Sequence, residues 1–221
     1  MASGQRTRRE GRALGRQVSG MRACLLKGLR CWEMWTPVDR KRMLRAWAMA
    51  EVTNPRWAHN LAGMGWSSEL QAKMKADDWA ALTEAEWEIV EDVIAQLRAP
   101  LLDGLLQLQP RWYEGELAVE AVAQMRIMAY PPFVANAPSR RLVDLAEVER
   151  GASSGPPEFL RAYMVGTPIA VAPVVGGPFT LVEGYTRCCR ALRDWNSARF
   201  DGLPIPMLIG VTERIGECSW M

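Results

Sequence analysis

Residues 166–192, GTPIAVAPVVGGPFTLVEGYTRCCRAL, decide how this chain is read. Two β-branched runs, TPIAVAPVV and PFTLV, are joined through Gly176-Gly177-Pro178, the composition of a hairpin-like turn. The second run ends on an acidic residue, Glu183. Gly184 then allows a tight turn, and Thr186 can cap a helix that starts at Arg187. On that helix Cys188, Leu192 and Trp195 recur at i, i+4 and i+7 as an apolar stripe, which puts Arg187 and Arg190 on another face. Downstream, LPIPMLIGV reads as one more strand. Strand, turn, strand, helix, strand is an α/β arrangement.

A glycine turn from strand to helix leaves backbone N–H groups unpaired at the positive end of a helix dipole, the physical setting for an anion. Arg187 and Arg190 beside that turn, with Glu183 next to it, predict a site for a nucleotide and its Mg²⁺. In that reading Arg187 and Arg190 neutralise phosphate oxygens, Gly184 shapes the turn against the nucleotide, and the amides of Tyr185 and Thr186 cradle one phosphate. Glu183 holds the metal or accepts a proton. The plainer alternative is a glycine turn carrying a surface Glu/Arg ion pair. No Gly-Lys-Ser/Thr occurs and no lysine follows Lys75, so phosphate in the back half must be met by arginine, amides or a metal.

Upstream the pattern is helical. VDRKRMLRAWAMAEV, from Thr36-Pro37, sets Val38, Met43, Leu44, Trp47 and Ala50 near one face. WSSELQAKMKADDWAAL reads as a second helix capped by Ser67 or Ser68. Thr83-Glu84-Ala85-Glu86 is a capping-box candidate for a third, with Trp87, Val90, Ile94 and Leu97 on its apolar face. GELAVEAVAQM is expected to add one more helix, and residues 131–158 a short helix between proline-rich loops. The single histidine, His59, placed between helices, excludes histidine triads and His-rich metal sites.

The chain has 221 residues, 49% hydrophobic and 24% charged, which excludes disorder and collagen. No run approaches the roughly 18 apolar residues of a membrane span, and the N-terminus lacks a secretory apolar core, so a cytoplasmic protein without membrane contact is expected. Cys24, Cys31, Cys188, Cys189 and Cys218 have no CxxC spacing and read as reduced thiols. The net charge of +2 hides an asymmetry. Residues 1–50 carry twelve Arg or Lys against three Asp or Glu, and the rest fifteen against twenty-two. The arm containing Arg6, Arg8, Arg9, Arg12 and Arg16 is suited to a phosphate backbone or an acidic partner surface, or else is a solvated tail.

The order of elements around residues 166–192 resembles the nucleotide-binding core of the ParB/sulfiredoxin-like superfamily, in which a Pro-Ile-x-Val strand, a turn and a strand ending in a Gly-x-x-Arg box open a helix. Gln109-Pro110-Arg111 with GELAVEAVAQMRI is similar to the start of ParB N-terminal domains, and LPIPMLIG to the family's next strand. The resemblance spans about residues 107–221, with 131–158 as an insertion. It implies a nucleoside triphosphate pocket, for ATP or CTP with Mg²⁺, which the superfamily uses in DNA clamps, reductases, small kinases, defence NTPases and some nucleases. Glu183, Gly184, Tyr185, Thr186 and Arg187 match the box, with Arg187 at its phosphate-binding arginine. Tyr185 stands where sulfiredoxin needs cysteine, and Thr186-Arg187 where ParB proteins usually carry two arginines.

The expected fold is therefore α+β: a basic arm at 1–35, an all-α domain at 36–106, and a mixed α/β ParB/sulfiredoxin-like domain at 107–221. The expected function is nucleotide binding with NTP hydrolysis or phosphoryl transfer. The alternative is a catalytically silent adaptor that binds nucleic acid or a protein partner through the basic arm and helical front. Nuclease activity would need an acidic metal cluster, for which Asp144, Glu147 and Glu149 are the scattered candidates.

Overall fold

The computed structural model describes residues 35–52, 58–76, 81–99, 101–148, 166–196 and 204–221. Arg6, Arg8, Arg9, Arg12, Arg16 and Glu149 lie outside them. Thr36–Met221 forms one compact unit with an α+β architecture.

Six strands make one mixed sheet in the order β1-β2-β6-β4-β5-β3. They are β1 (Thr36–Val38), β2 (Arg111–Leu117), β3 (Arg126–Ile127), β4 (Ile169–Ala172), β5 (Thr180–Glu183) and β6 (Ile205–Val211). β4 runs parallel to β6 and β3 parallel to β5, while the remaining pairs are antiparallel. The β4–β5 hairpin and β6 lie where the sequence puts them. Two segments differ. The front is not purely helical, because Thr36-Pro37-Val38 pairs with Glu114, Tyr113 and Trp112 of β2. Residues of GELAVEAVAQM expected to be helical divide between the end of β2 and a short helix, since the stretch finds a partner in β6 along its whole strand length.

The front contributes α1 (Arg40–Val52), α2 (Ala58–Gly63), α3 (Ser68–Lys75), α4 (Glu84–Arg98) and α5 (Leu101–Gln107). His59 falls inside α2 and not between helices. Both expected caps are present. Ser67 Oγ accepts from Leu70 N–H, and Thr83 with Glu86 closes a reciprocal capping box on α4. The back contributes α6 (Val119–Ala123), α7 (Pro131–Asn136), α8 (Leu142–Val148) and α9 (Tyr185–Asn196). Among the described residues no helix is long and apolar enough to cross a membrane.

Strand alternation divides the sheet's side chains between two layers. Trp112, Ile169, Val171, Val182 and Leu208 join the core that contains Met43, Leu44, Trp47, Val90 and Ile94 of the front helices. On the other face, α6 and α8 pack with α9. Gly210 shows how tightly the first layer is filled: a Cβ there would sit 2.9 Å from the ring of Trp112, its cross-strand partner.

Candidate functional site

β5 carries Leu181 and Val182 into opposite layers and ends at Glu183, whose side chain keeps 19% of its surface exposed. Gly184 follows with φ +95°, a left-handed conformation that glycine adopts without strain. A Cβ at this position would meet Pro168 Cβ at 2.8 Å and Arg187 Nη2 at 3.2 Å, so glycine is required for space as well as for conformation. The proline of the Pro-Ile-x-Val strand thus fills the inner side of the turn.

α9 starts at Tyr185, two residues earlier than the sequence suggested, and Cys188 N–H donates to the Gly184 carbonyl at 2.9 Å. Thr186 lies inside the first turn, exposed, and does not serve as the cap before it. Tyr185 is held at both ends. Its hydroxyl donates to Leu181 O and accepts from Met128 N–H at 3.1 Å, while its ring lies 4.4 Å from that of Phe133. Burial pushes its hydroxyl well above the ordinary tyrosine value, so it stays protonated.

Arg187, expected on a face other than the apolar stripe, is itself buried. It is 9% exposed, and its Nη2 donates to Glu183 Oε1 at 3.2 Å. A Cβ placed on Gly166 would lie 3.0 Å from Arg187 Nη1 and 3.4 Å from Ala46 O, which locates the guanidinium against α1. The reason is that α9 is covered on more than one side: Cys188, Cys189, Ala191 and Leu192 are all buried, and Arg190 is half-buried. Cys188, pushed up to about 12 by burial, is a packed thiol.

A second ion pair adjoins the first. Arg98, at the end of α4, donates through Nε to Glu51 Oε1 at 2.6 Å, and Glu51, near the end of α1, is 1% exposed. The charges of Arg98 and Glu51 both act on Glu183. Burial raises the Glu183 carboxyl above its ordinary value, Arg187 and then Arg98 oppose that rise, and Glu51 reinforces it. Glu51, Arg98, Glu183 and Arg187 therefore form one buried quartet joining α1 and α4 to the β5–α9 turn. Neither Glu51 nor Arg98 was singled out from sequence, although a signal exists. Glu51 follows Leu44 by seven residues and Trp47 by four, and Arg98 continues Trp87, Val90 and Ile94. Each places a charge on an apolar stripe.

Such a site can exchange a proton at Glu183 or swap the partner of Arg187. The Glu183 carboxylate faces a guanidinium, and among the described residues no three His, Cys, Asp or Glu side chains gather as ligands. Of the acidic candidates for a nuclease, Glu149 lies outside the described residues. Asp144 accepts from Arg141 and Ser139, which hold its carboxyl below the ordinary range, and Glu147 is exposed on α8. No family model, curated protein or solved structure matches the chain.

Proposed function

We propose that the chain is a nucleic-acid-binding adaptor on a ParB/sulfiredoxin-like scaffold, in which the Glu-Gly-x-x-Arg turn works as an internal clamp. The observation that carries this reading is the state of Arg187, which is nine-tenths buried and committed to Glu183 beside a turn filled by Pro168. A guanidinium in that position braces helices against the sheet instead of meeting a phosphate.

The charge distribution supports the second half of the reading. Three of the four cations of α1 are matched within the fold: Arg40 pairs with Glu91 at 2.8 Å, Lys41 with Glu84 at 3.1 Å, and Arg42 with Glu114. The excess of positive charge therefore rests on residues 1–34, with eight Arg or Lys against two Glu. Electrostatic binding to a polyanion releases counterions in proportion to the phosphates contacted, so affinity should fall steeply with salt. The test compares the full chain with a chain lacking residues 1–30, titrated against labelled DNA and RNA at several salt concentrations. Binding with a steep salt slope that disappears on deletion is the expected result; unchanged binding after deletion overturns it.

A second reading, NTP hydrolysis or phosphoryl transfer with ATP or CTP, has its own support. α9 rises directly from the Glu-Gly-x-x-Arg turn at the end of β5, and the raised pKa of Glu183 suits a proton acceptor. It requires Arg187 to exchange Glu183 for a phosphate. Titration with ATP and CTP, with and without Mg²⁺, on wild type, Arg187→Ala and Glu183→Gln tests it. Saturable binding lost in Arg187→Ala would favour this reading over the clamp.

A further inference from the structure

We infer that the exposed surface formed by β3 and the start of α7 is a stacking platform for single-stranded nucleic acid, with an unpaired base on Tyr130 and a phosphate on Arg126. This rests on the nucleic-acid reading above and adds to it a second surface, on the folded part of the chain, and a class of ligand.

Tyr130 is the aromatic residue the described fold leaves most open, with 51% of its surface exposed. It is also fixed. Its carbonyl accepts from Phe133 N–H at 2.9 Å and Val134 N–H at 3.0 Å, and Pro131-Pro132 follow at the start of α7, which restricts the residue before them. Its ring meets Phe133 edge to face at 5.2 Å, and Phe133 rests on the anchored ring of Tyr185. An exposed tyrosine with little freedom to lose presents stacking surface at small entropic cost. Base stacking on such a ring is indifferent to sequence but needs an unpaired base.

The charge that precedes it in the chain has the matching sign. Arg126, exposed on β3 four residues before Tyr130, sits opposite Arg141 in an isolated β-bridge. Like charges placed directly across a bridge repel, and an anion between them removes the repulsion. Arg141 is matched by Asp144 at 2.9 Å. Arg140, with φ 57°, turns its guanidinium onto the Ile127 carbonyl, so its charge is not cancelled by that contact. Among the described residues neither Arg126 nor Arg140 has a carboxylate partner. β3 is only two residues long and its outer side is already taken by residues 140–142, through Ile127 N–H to Arg140 O and Leu142 N–H to Met125 O, both at 2.9 Å, so the nucleic-acid strand meets exposed side chains here and adds no pairing to the sheet.

The experiment is fluorescence anisotropy on the full chain with labelled oligo(dT) of about 20 nucleotides, longer than the site of one small binding fold, and with a duplex of equal length. Wild type is compared with Tyr130→Ala, Tyr130→Phe and Arg126→Ala, whose exposed positions let the fold survive, as a thermal melt of each variant checks. Tyr130→Ala should weaken oligo(dT) binding about tenfold and Tyr130→Phe hardly at all. Arg126→Ala should lower the salt slope by about 0.7, the contribution of one phosphate contact on a single strand. Duplex binding should not respond to Tyr130→Ala. The inference falls if Tyr130→Ala binds oligo(dT) like wild type, if Tyr130→Phe is as weak as Tyr130→Ala, or if single strand and duplex respond alike. When that happens while deletion of residues 1–30 still abolishes binding, the platform alone is wrong; when wild type binds neither nucleic acid, the underlying reading fails with it.

Discussion

Arg187 and Glu183 are tied together by burial, and the two halves of the pair are not equivalent. Removing one partner of a buried ion pair leaves the other uncompensated and costs about 3 kcal/mol. A carboxylate left alone can escape that cost by taking up a proton, whereas a guanidinium cannot. In Arg187→Ala the largest influence holding the Glu183 pKa down is gone, so the folded-state pKa rises further above the unfolded value of 4.5. A group whose folded pKa is raised binds more protons in the native state, so stability falls as pH increases from the unfolded value through the folded one. The urea midpoint of Arg187→Ala should therefore approach that of wild type near pH 5 and drop away toward pH 8. Glu183→Gln removes the negative charge facing Arg187, which cannot shed its own, so whatever that variant loses should be as large at pH 5 as at pH 8. Equal pH profiles for the two variants would mean that the pair is not the unit described. At this scale the sequence was half legible. Glu183, Gly184 and Arg187 announce themselves through local turn chemistry, but the direction of the Arg187 side chain depends on α1, whose residues lie more than a hundred positions away.

Among the elements, what could be read in advance were those whose determinants lie within a few residues. The box of Thr83 and Glu86, the cap at Ser67 and the hairpin around Gly176-Gly177 are of this kind. β2 was not, because Glu114, Glu116 and Leu117 favour a helix, and only seven residues of pairing with β6 override that preference. β1 is three residues long and exists only as a partner of β2. The β2–β6 pair depends on one close approach, the Trp112 ring lying over Gly210. Gly210→Ala adds a methyl group at 2.9 Å from that ring and should cost about 1–3 kcal/mol through overpacking, seen as a lower melting temperature. Combining it with Trp112→Phe makes room, so the double variant should lose less than the sum of the single losses. Additive losses would show that Trp112 does not determine the need for glycine at 210.

For the molecule as a whole, the sequence suggests a boundary near residue 106 between a helical front and a mixed back, since hydrophobic periodicity changes there. Periodicity reports the local element and says nothing about which layer it covers. In the fold, Met43, Leu44 and Trp47 of α1 share one core with Ile169 and Val171 of β4 and Leu208 of β6, β1 is hydrogen-bonded to β2, and the quartet of Glu51, Arg98, Glu183 and Arg187 bridges the same layers. Neither portion buries its apolar face without the other, so the two should unfold together. Tryptophan fluorescence, weighted toward the front by Trp47, Trp66 and Trp87, and far-UV circular dichroism, which also reports α9 and the sheet, should give coincident urea transitions with one midpoint. Glu51→Gln weakens the bridge without emptying the core, so it should move both transitions to lower urea by the same amount. If fluorescence instead shifted ahead of circular dichroism in that variant, the front would be a separately folding unit and the clamp assigned to the Glu-Gly-x-x-Arg turn would have nothing to hold.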